Sequence, residues 1–312
     1  MNVFNIDNIN ALGDKTVVTV GMFDGLHLGH RHLLARLLST AVEEGLLPVV
    51  VTFDTHPRQV LDPAMTMPLL STRSERLSLL EGCGVTNVAM VHFDVNTASL
   101  SACAFARRFL CERLNMSMLL LGYDNMFGSR ANNDFDRLPE LAAEKGFAIR
   151  RDEAVLLDGI EVSSTKIRKA LQEGNLVRAN AMLGAPYGVC GTVVHGRHVG
   201  TSLGFPTANI RLDENAKILP ADGVYALRVM VDGSAYAAMA NLGNQPTFNQ
   251  QHKELEVHLI GFDGNLYGRE LRVEFIGRIR DIRAFGSPDE LVAQLRRDKQ
   301  EAIAITCTNH NQ

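Results

Sequence analysis

One stretch near the N-terminus constrains the fold more than any other part of the chain. A β-branched run, Thr16–Val20, leads through a glycine-rich turn to apolar residues at helical spacing over Arg31–Glu44. A second apolar run, Val49–Phe53, follows. A short apolar strand, an amphipathic helix and another apolar strand form a βαβ unit. Two strands joined through a helix predict a parallel sheet with helices on both faces.

The alternation of strands and helices continues along the first half of the chain. Further strands are predicted at Asn87–His92 and Ser117–Leu121, and helices at 102–114, 137–144 and 165–171. We therefore interpret residues 1–184 as one doubly wound α/β domain.

The pattern changes at Gly184–Pro186, which we take as the domain boundary. Short alternating runs follow, separated by Gly, Asn, Asp and Pro, and the one late helical stretch is Pro288–Ala302. Short strands with turn residues between them favour an antiparallel sheet or closed barrel. The fold class is thus α/β: an N-terminal doubly wound parallel-sheet domain, then an antiparallel β-barrel over residues 185–312 with a terminal helix.

Composition excludes several classes of partner. The 312 residues are 46% hydrophobic, enough for the cores of two domains. A formal net charge of −4 provides no bulk attraction to nucleic acid or to an anionic membrane. No apolar run approaches the roughly 18 residues of a membrane helix, and the N-terminus lacks an apolar leader. Five cysteines without a C-x-x-C favour reduced thiols and a cytoplasmic location. The oligomeric state is not readable from the sequence.

The turn after the first strand predicts a nucleotide phosphate site. Its sequence over Gly21–His30 is GMFDGLHLGH. The turn lies at the carboxyl end of a strand and leads into a helix start with free N–H groups. Such a helix start binds phosphate. His27 and His30 are three residues apart, so both imidazoles can face one phosphate and stabilise its developing charge. Gly29 keeps the space between them clear.

This turn is also consistent with two other kinds of site, a metal site and a P-loop. His27, His30 and His32 could ligate a metal, although no cysteine or carboxylate lies at a matching spacing. The lysine of a Walker A motif is absent, which argues against a P-loop kinase.

These residues also carry a family resemblance. The segment Gly21–His30 resembles the H-x-G-H signature of the nucleotidyltransferase superfamily. Its full form is similar to the FMN adenylyltransferase half of bacterial bifunctional riboflavin kinase/FAD synthetases. Three further elements fit that family in order: F-x-x-H-P at Phe53–Pro57, the glycine-bounded loop GYDNMFG at 122–128, and S-S-T-x-I-R at Ser163–Arg168.

The resemblance implies roles for individual residues. It implies that His27 and His30 are catalytic. It places ATP against Gly21, Phe23, Asp24, Gly25, Ser163, Ser164, Thr165 and Arg168. It places the flavin against Phe53, His56, Pro57 and Asp124. Taken alone, the three hydroxyls and the arginine of the S-S-T element fit a capped helix as well as a phosphate site.

A second nucleotide site is predicted in the second domain. The loop within Gly191–Asn209 is rich in glycine, so its backbone N–H groups can surround a polyphosphate. Thr207 and Asn209 offer two hard oxygen ligands, which suit Mg²⁺ bound together with substrate phosphates. The run Gly204–Asn209 matches the riboflavin kinase signature G-F-P-T-A-N. The resemblance implies ATP contacts at Gly196, Gly200, Gly204, Phe205 and Pro206.

Glu256 is the candidate catalytic carboxylate of the second domain. It lies in an alternating strand before a hairpin at Asp263–Gly264, which resembles the family's E-x-H-L…D-L-Y-G element. The resemblance implies that it is catalytic. A sugar-like hydroxyl is a poor nucleophile, so a general base is chemically reasonable there.

The resemblance extends over about residues 17–297 and implies two reactions. Riboflavin is phosphorylated by Mg-ATP to FMN, and FMN is then adenylylated by a second ATP to FAD. The chain departs from the family pattern at Thr201, Gln245 and Asn265. Two alternatives stay open: a flavin-binding or regulatory protein whose kinase half is inactive, and a nucleotidyltransferase acting on another phosphate, such as phosphopantetheine.

Overall fold

A computed structural model describes residues 1–62, 67–129, 134–196, 203–212, 217–247 and 250–308, with side chains except at 244–252. Gly200 and Thr201, and the side chain of Gln245, lie outside this description. The chain divides into two compact units, Met1–Ser163 and Ser164–Gln312.

A six-stranded parallel sheet forms the centre of the first unit. Its strands are β1 (Asn2–Asn5), β2 (Thr16–Val20), β3 (Leu47–Phe53), β4 (Asn87–Val91), β5 (Met116–Leu121) and β6 (Ala148–Arg151). The order across the sheet is β1-β4-β3-β2-β5-β6, and every pairing is parallel. A small hairpin joins β7 (Leu156–Leu157) to β8 (Ile160–Glu161).

Helices connect these strands. They are α1 (Leu28–Glu44), α2 (Pro57–Leu61), α3 (Arg73–Gly82), α4 (Val95–Ser99), α5 (Ala102–Phe105) and α6 (Leu138–Lys145), and a π-helical segment, Ala106–Cys111, continues α5.

The sheet is covered on both faces. Successive residues of a strand point to opposite sides, and in β2 both sides are buried. Val18 and Val20 join one core cluster with the rings of the α5 region, whereas Val17 joins the other with the apolar side of α1. This two-sided burial confirms the predicted doubly wound sheet.

The strand order explains where a ligand site can form. From β2 the chain moves through β3 to β4 on one side, then returns to place β5 on the other side of β2. Ligands of open α/β sheets bind at the carboxyl ends of the strands beside such a reversal. The loops after β2, β3 and β5 therefore share one edge of the sheet.

The second unit is a closed antiparallel barrel with helices. It begins with α7 (Ser164–Gln172) and α8 (Leu176–Leu183). The strands are β9 (Tyr187–Val194), β10 (Ala208–Leu212), β11 (Gly223–Val231), β12 (Ser234–Thr247), β13 (Gln250–Leu259) and β14 (Glu270–Arg280). The barrel order is β10-β13-β12-β11-β14-β9, closed by the pairing of β9 with β10. The predicted barrel is therefore confirmed.

A long C-terminal helix, α9 (Pro288–Thr308), packs on the outside of the barrel. Gly277 lets it approach, because a Cβ there would lie 2.9 Å from Ile305. Asp298 is completely buried and accepts hydrogen bonds from the Arg280 guanidinium at 2.7–3.2 Å and from Gln294 at 2.7 Å. A buried carboxylate thus joins α9 to β14.

The compact units differ from the predicted domain limits by two helices, α7 and α8. Asn180 in α8 donates to the carbonyl of Phe275 at 2.8 Å and accepts from the N–H of Tyr187 at 2.8 Å. These bonds attach α8 to β14 and β9. The tertiary contacts therefore place these helices with the barrel, whereas the composition changes only at Gly184.

Candidate active sites

The loop between β2 and α1 has a strained backbone. Phe23, Gly25 and Leu26 have positive φ angles of 51°, 78° and 41°. Only glycine adopts this region without steric cost, so the other two residues need support from packing. Phe23 and Leu26 obtain it because their side chains are buried in the core beside α1. The turn is thereby held at the carboxyl edge of the sheet.

Asp24 attaches this loop to a neighbouring segment. Its buried carboxylate accepts hydrogen bonds from the N–H groups of Leu70 and Ser71 and from the Ser71 hydroxyl, at 2.8–3.0 Å. The Ser71 hydroxyl also accepts from the N–H of Gly25 at 2.9 Å. The structure therefore gives Asp24 a positioning role in the loop. Its predicted contact with ATP stays a prediction.

The two predicted catalytic histidines stack on each other at the start of α1. Their ring centroids are 3.6 Å apart with an angle of 15° between the planes. Nδ1 of His27 accepts from the N–H of His30 at 3.3 Å, so His27 caps the helix. A neutral His27 must then carry its proton on Nε2, where it can donate to a ligand. Gly29 avoids a tight contact beneath this pair, because a Cβ would lie 3.3 Å from the His27 ring.

His30 is a neutral imidazole at ordinary pH. Burial, and next the neighbouring His27, lower the pKa of His30 well below 6.5. Its Nδ1 atom is buried and has no hydrogen-bond partner among the described residues. A polar atom without a partner at the carboxyl edge is suited to meet a ligand.

The predicted flavin residues after β3 also have structural roles. Phe53 ends β3, and its ring is buried against Phe93 and Phe105, at centroid distances of 5.2 and 6.2 Å. His56 caps α2 by accepting from the N–H of Arg58 at 3.2 Å, and Pro57 is the first helical residue. The strand order places this segment beside the His27 loop. The predicted flavin contacts themselves stay predictions.

Asp124 lies in an exposed loop after β5. Arg151 supports this loop by donating to the carbonyls of Gly122, at 3.1 Å, and Tyr123, at 2.9 Å. Asn125 donates to the carbonyl of Val20, which ends β2. The loop is thus attached to the strand that precedes the histidines.

The S-S-T-x-I-R element spans the division between the two units. Ser163 ends the first unit, and Ser164 and Thr165 begin α7. Arg168 lies on α7, and its side chain is buried. The predicted helix start is confirmed. The predicted phosphate contacts of these four residues stay predictions.

In the barrel, Glu256 and Asn209 are neighbours. Asn209 is the cross-strand partner of Glu256 on β10, and Asn241 is its partner on β12. Residues in one such row share a face of the sheet. Leu255 and Val257 are fully buried, so the row containing Glu256 faces away from the barrel interior. The barrel therefore brings the candidate base and a candidate magnesium ligand together.

Gly196 makes room for the Asn209 side chain. A Cβ at this glycine would lie 2.5 Å from the Asn209 Cγ atom and 2.9 Å from Oδ1. Gly196 thus determines where the amide of Asn209 lies.

A cavity of about 400 Å³ adjoins Thr207. Its lining includes Pro206, Thr207, Phe262, Asp263 and Tyr267. Just before Pro206 in the chain, Gly204 has a positive φ of 79°, and Phe205 is buried against α9. The pocket therefore combines aromatic walls with hydroxyl and carboxylate groups.

His258 joins the strand of Glu256 to the G-F-P-T-A-N run. It is buried, its Nδ1 lies 2.8 Å from the carbonyl of Pro206, and its ring packs edge-on against Phe205 at 5.4 Å. Burial lowers its pKa. A neutral His258 with its proton on Nδ1 donates this bond.

The sequence patterns missed two residues that structure brings to these sites. Asn241 requires the strand register, which hydrophobic alternation alone does not determine. Arg76, in the first turns of α3, is buried and donates from Nη1 to the carbonyl of Met22 at 3.2 Å. It donates from Nη2 to that of Phe53 at 2.6 Å. No local motif marks a buried arginine within a helix.

Both halves of the chain match known families. Residues 10–166 match the FAD synthetase family, and residues 183–306 match the riboflavin kinase family. A crystal structure described as that of a macrolide-efflux protein from Streptococcus pneumoniae has a TM-score of 0.87 and 32% identity to this chain. It covers 96% of this chain and 97% of its own. No helix in the described residues has the length and apolar character to cross a bilayer.

Curated relatives named bifunctional riboflavin kinase/FMN adenylyltransferase align along nearly the whole chain. The Pseudomonas fluorescens protein is 37% identical over 304 residues, covering 97% of each chain. The Escherichia coli K12 protein is 37% identical over 287 residues, 92% of this chain and 91% of its own. The Bacillus subtilis protein is 35% identical over 293 residues, which cover 93% of this chain and 92% of its own. Two matched halves and this full-length identity establish that the chain belongs to the bifunctional riboflavin kinase/FMN adenylyltransferase family.

Proposed function

We propose that the barrel unit phosphorylates riboflavin to FMN and that the parallel-sheet unit adenylylates FMN to FAD. The adenylyl transfer is supported above all by the stacked His27–His30 pair at the start of α1. The phosphorylation is supported by the adjoining Asn209 and Glu256. ATP is the second substrate of both reactions.

In adenylyl transfer the phosphate of FMN attacks the α-phosphorus of ATP, and the bond to the β-phosphate breaks to release pyrophosphate. The nucleophile is already an anion, so hydrogen-bond donors are needed more than a base. Nε2–H of His27 donates to a phosphate oxygen as its charge develops, and His30 lies against it. The N–H groups of the Gly21–Gly25 turn hold the phosphates of ATP. The family motif assigns further ATP contacts to Ser163, Ser164, Thr165 and Arg168.

The flavin lies on the adjacent part of the same edge. Phe53, His56 and Pro57 form one side of its site and Asp124 the other, because β3 and β5 flank β2. This order supports a position of the flavin phosphate next to the histidines.

In the barrel Glu256 accepts the proton of the ribityl 5′-hydroxyl while the oxygen attacks the γ-phosphorus of ATP and ADP leaves. The cavity beside Thr207 takes the nucleotide, and the resemblance assigns contacts with it to Gly196, Gly200, Gly204, Phe205 and Pro206. The hydroxyl of Thr207 and the amide oxygen of Asn209 are hard donors that fit Mg²⁺. When bound, this ion neutralises charge on the phosphates of ATP.

We place these reactions in the cytoplasm. All five cysteines are free thiols, which persist in a reducing compartment, and the reactions consume ATP.

A product assay on the full chain tests the proposal. Riboflavin or FMN is incubated with Mg-ATP, and FMN and FAD are separated by chromatography. His27→Ala should abolish FAD formation and preserve FMN formation. Glu256→Gln should block FMN formation and still convert supplied FMN to FAD.

A third histidine offers a matched control. His32 lies on α1 and pairs with Asp152 at 3.3 Å, away from the His27–His30 stack. The described residues contain no cluster of three such side chains that could hold a metal, so the structure does not support the three-histidine metal site. His32→Ala should retain both activities, and its loss of FAD formation would contradict the assignment to His27 and His30. Full adenylyl transfer by His27→Ala would contradict the assignment. Wild-type protein that converts FMN but not riboflavin would identify an inactive kinase half.

A further inference from the structure

Arg76 is the largest fully buried side chain of the described residues, with 1% of its surface exposed. Burying a guanidinium is costly unless hydrogen bonds or an opposite charge compensate it. Within the described residues its Nε has no hydrogen-bond partner. Burial lowers the pKa of Arg76, and the carboxylates of Asp24 and Asp54 oppose that change electrostatically. Its direct hydrogen bonds go to two backbone carbonyls, with these two carboxylates acting from farther away.

The two carbonyls belong to the two substrate segments of the proposed adenylyltransferase site. Met22 lies in the turn that leads to His27, and Phe53 begins the F-x-x-H-P segment. The bonds to them, 3.2 and 2.6 Å long, start from different nitrogens of one planar group. The N–H of Gly21 also donates to the carbonyl of Val51 at 3.0 Å, and the Thr52 hydroxyl to that of Met22 at 3.4 Å. Arg76 adds two charged hydrogen bonds to this link between the nucleotide turn and the flavin segment.

The start of α3 holds Arg76 in place. Thr72 and Glu75 form a reciprocal capping box there, with bonds of 3.2 and 2.8 Å. Just before it, Ser71 bonds to Asp24 in the same nucleotide turn. The turn is thus held from one helix start at two points, by Ser71 and by Arg76.

We propose that Arg76 is a positioning residue for adenylyl transfer, which rests on the proposed function of the first unit. It keeps the flavin phosphate and the α-phosphorus of ATP at reacting distance by fixing the ends of β3 and β2. A rigid fork suits this task because it donates two bonds in fixed directions. The ammonium of a lysine is a single point of charge and cannot reproduce them.

The test compares Arg76→Met, Arg76→Lys and the matched control Arg73→Met in the full chain. Arg73 is an exposed arginine one turn earlier on α3. The assays measure kcat and KM for FMN and for ATP, riboflavin phosphorylation by the same preparation, and the thermal unfolding midpoint.

A misplacement of about 1 Å costs about 100-fold in rate, so Arg76→Met should lower the adenylyl-transfer kcat by about that factor. KM for each substrate should change by less than about threefold, since the binding groups remain. Arg76→Lys should show an intermediate loss. Arg73→Met should match wild type, and phosphorylation should be unchanged in all three variants.

Several results would overturn the proposal. One is an unchanged kcat in Arg76→Met. Another is full recovery in Arg76→Lys, which would assign the effect to charge. A third is a loss confined to KM, or one that appears only near the unfolding midpoint. If Arg76→Met does not fold, Arg76→Lys decides between these outcomes. Wild-type protein without adenylyl transfer would refute the proposed function instead, so the two failures are distinguishable.

Discussion

Replacing Gly196 by alanine tests whether the position of Asn209 controls phosphorylation. A Cβ at residue 196 would lie 2.5 Å from the Asn209 Cγ atom, whereas ordinary contact begins at 3.4 Å. The Nδ2 atom would be nearer still, so the amide must move by more than about 1 Å. Gly196 has no positive φ angle, so the change is steric and adds no backbone strain. The free end of a side chain can turn aside, so we expect little loss of stability.

A displacement of about 1 Å in a positioning group costs about 100-fold in rate. We therefore expect Gly196→Ala to lower the kcat of riboflavin phosphorylation by about 100-fold. FAD formation from supplied FMN should be unchanged, because that reaction uses the other unit. Steady-state assays of both reactions on one preparation measure the two rates, with each flavin product quantified by chromatography.

Gly188→Ala is the matched control. Gly188 lies on β9, the strand before Gly196, and the nearest atom to its Cβ would be 3.5 Å away. We expect it to retain both activities. Phosphorylation by Gly196→Ala within about twofold of wild type would refute the reasoning, because a displaced amide would then have no effect on the reaction.

Two further predictions concern stability. The pKa of His30 is lowered in the folded protein, so below about pH 6.5 the unfolded chain binds more protons than the folded one. The contribution of His30 to the free energy of unfolding should therefore decrease as the pH falls. The pKa of His92 is raised by its hydrogen bond to Asp54, so His92 affects the pH dependence of stability in the opposite direction. Urea denaturation of wild type and of His30→Asn across this pH range separates the two contributions. Parallel curves of unfolding free energy against pH would contradict the prediction. Asp298→Ala should lower the free energy of unfolding of the barrel unit by about 3–5 kcal/mol in urea denaturation, since it leaves Arg280 without its carboxylate partner. A loss below about 1 kcal/mol would show that water or another group replaces that partner.

Local patterns were sufficient to predict the family and both folds. Residue spacing indicates which face of a helix or strand is buried. It was enough to predict the strand–turn–helix run at Thr16–Glu44 and the alternating strands after Gly184. The matches over residues 10–166 and 183–306 confirm this part. The stacking of His27 on His30 also follows from short-range geometry, because both residues belong to one helix start.

Other features depend on contacts between distant parts of the chain. Asp24 was predicted to contact ATP, and the structure shows its carboxylate bonded to Leu70 and Ser71. Arg76 reaches Met22 and Phe53 across 54 and 23 residues. The residue pattern within one segment cannot predict such a contact, because the contact forms only when α3 packs beside the assembled strands.

The amino-acid sequence by itself determined which chemistry the chain carries, since imidazoles, hydroxyls, amides and a carboxylate occur at spacings that local turns and helix starts bring together. Only the tertiary structure decided how those groups are held. The parallel strand order places the turns after β2, β3 and β5 along one edge, and the barrel register sets Asn209 beside Glu256. Asp24 and Arg76 hold the nucleotide turn because their polar groups are buried, and buried polar groups form hydrogen bonds with the partners that the folded chain provides.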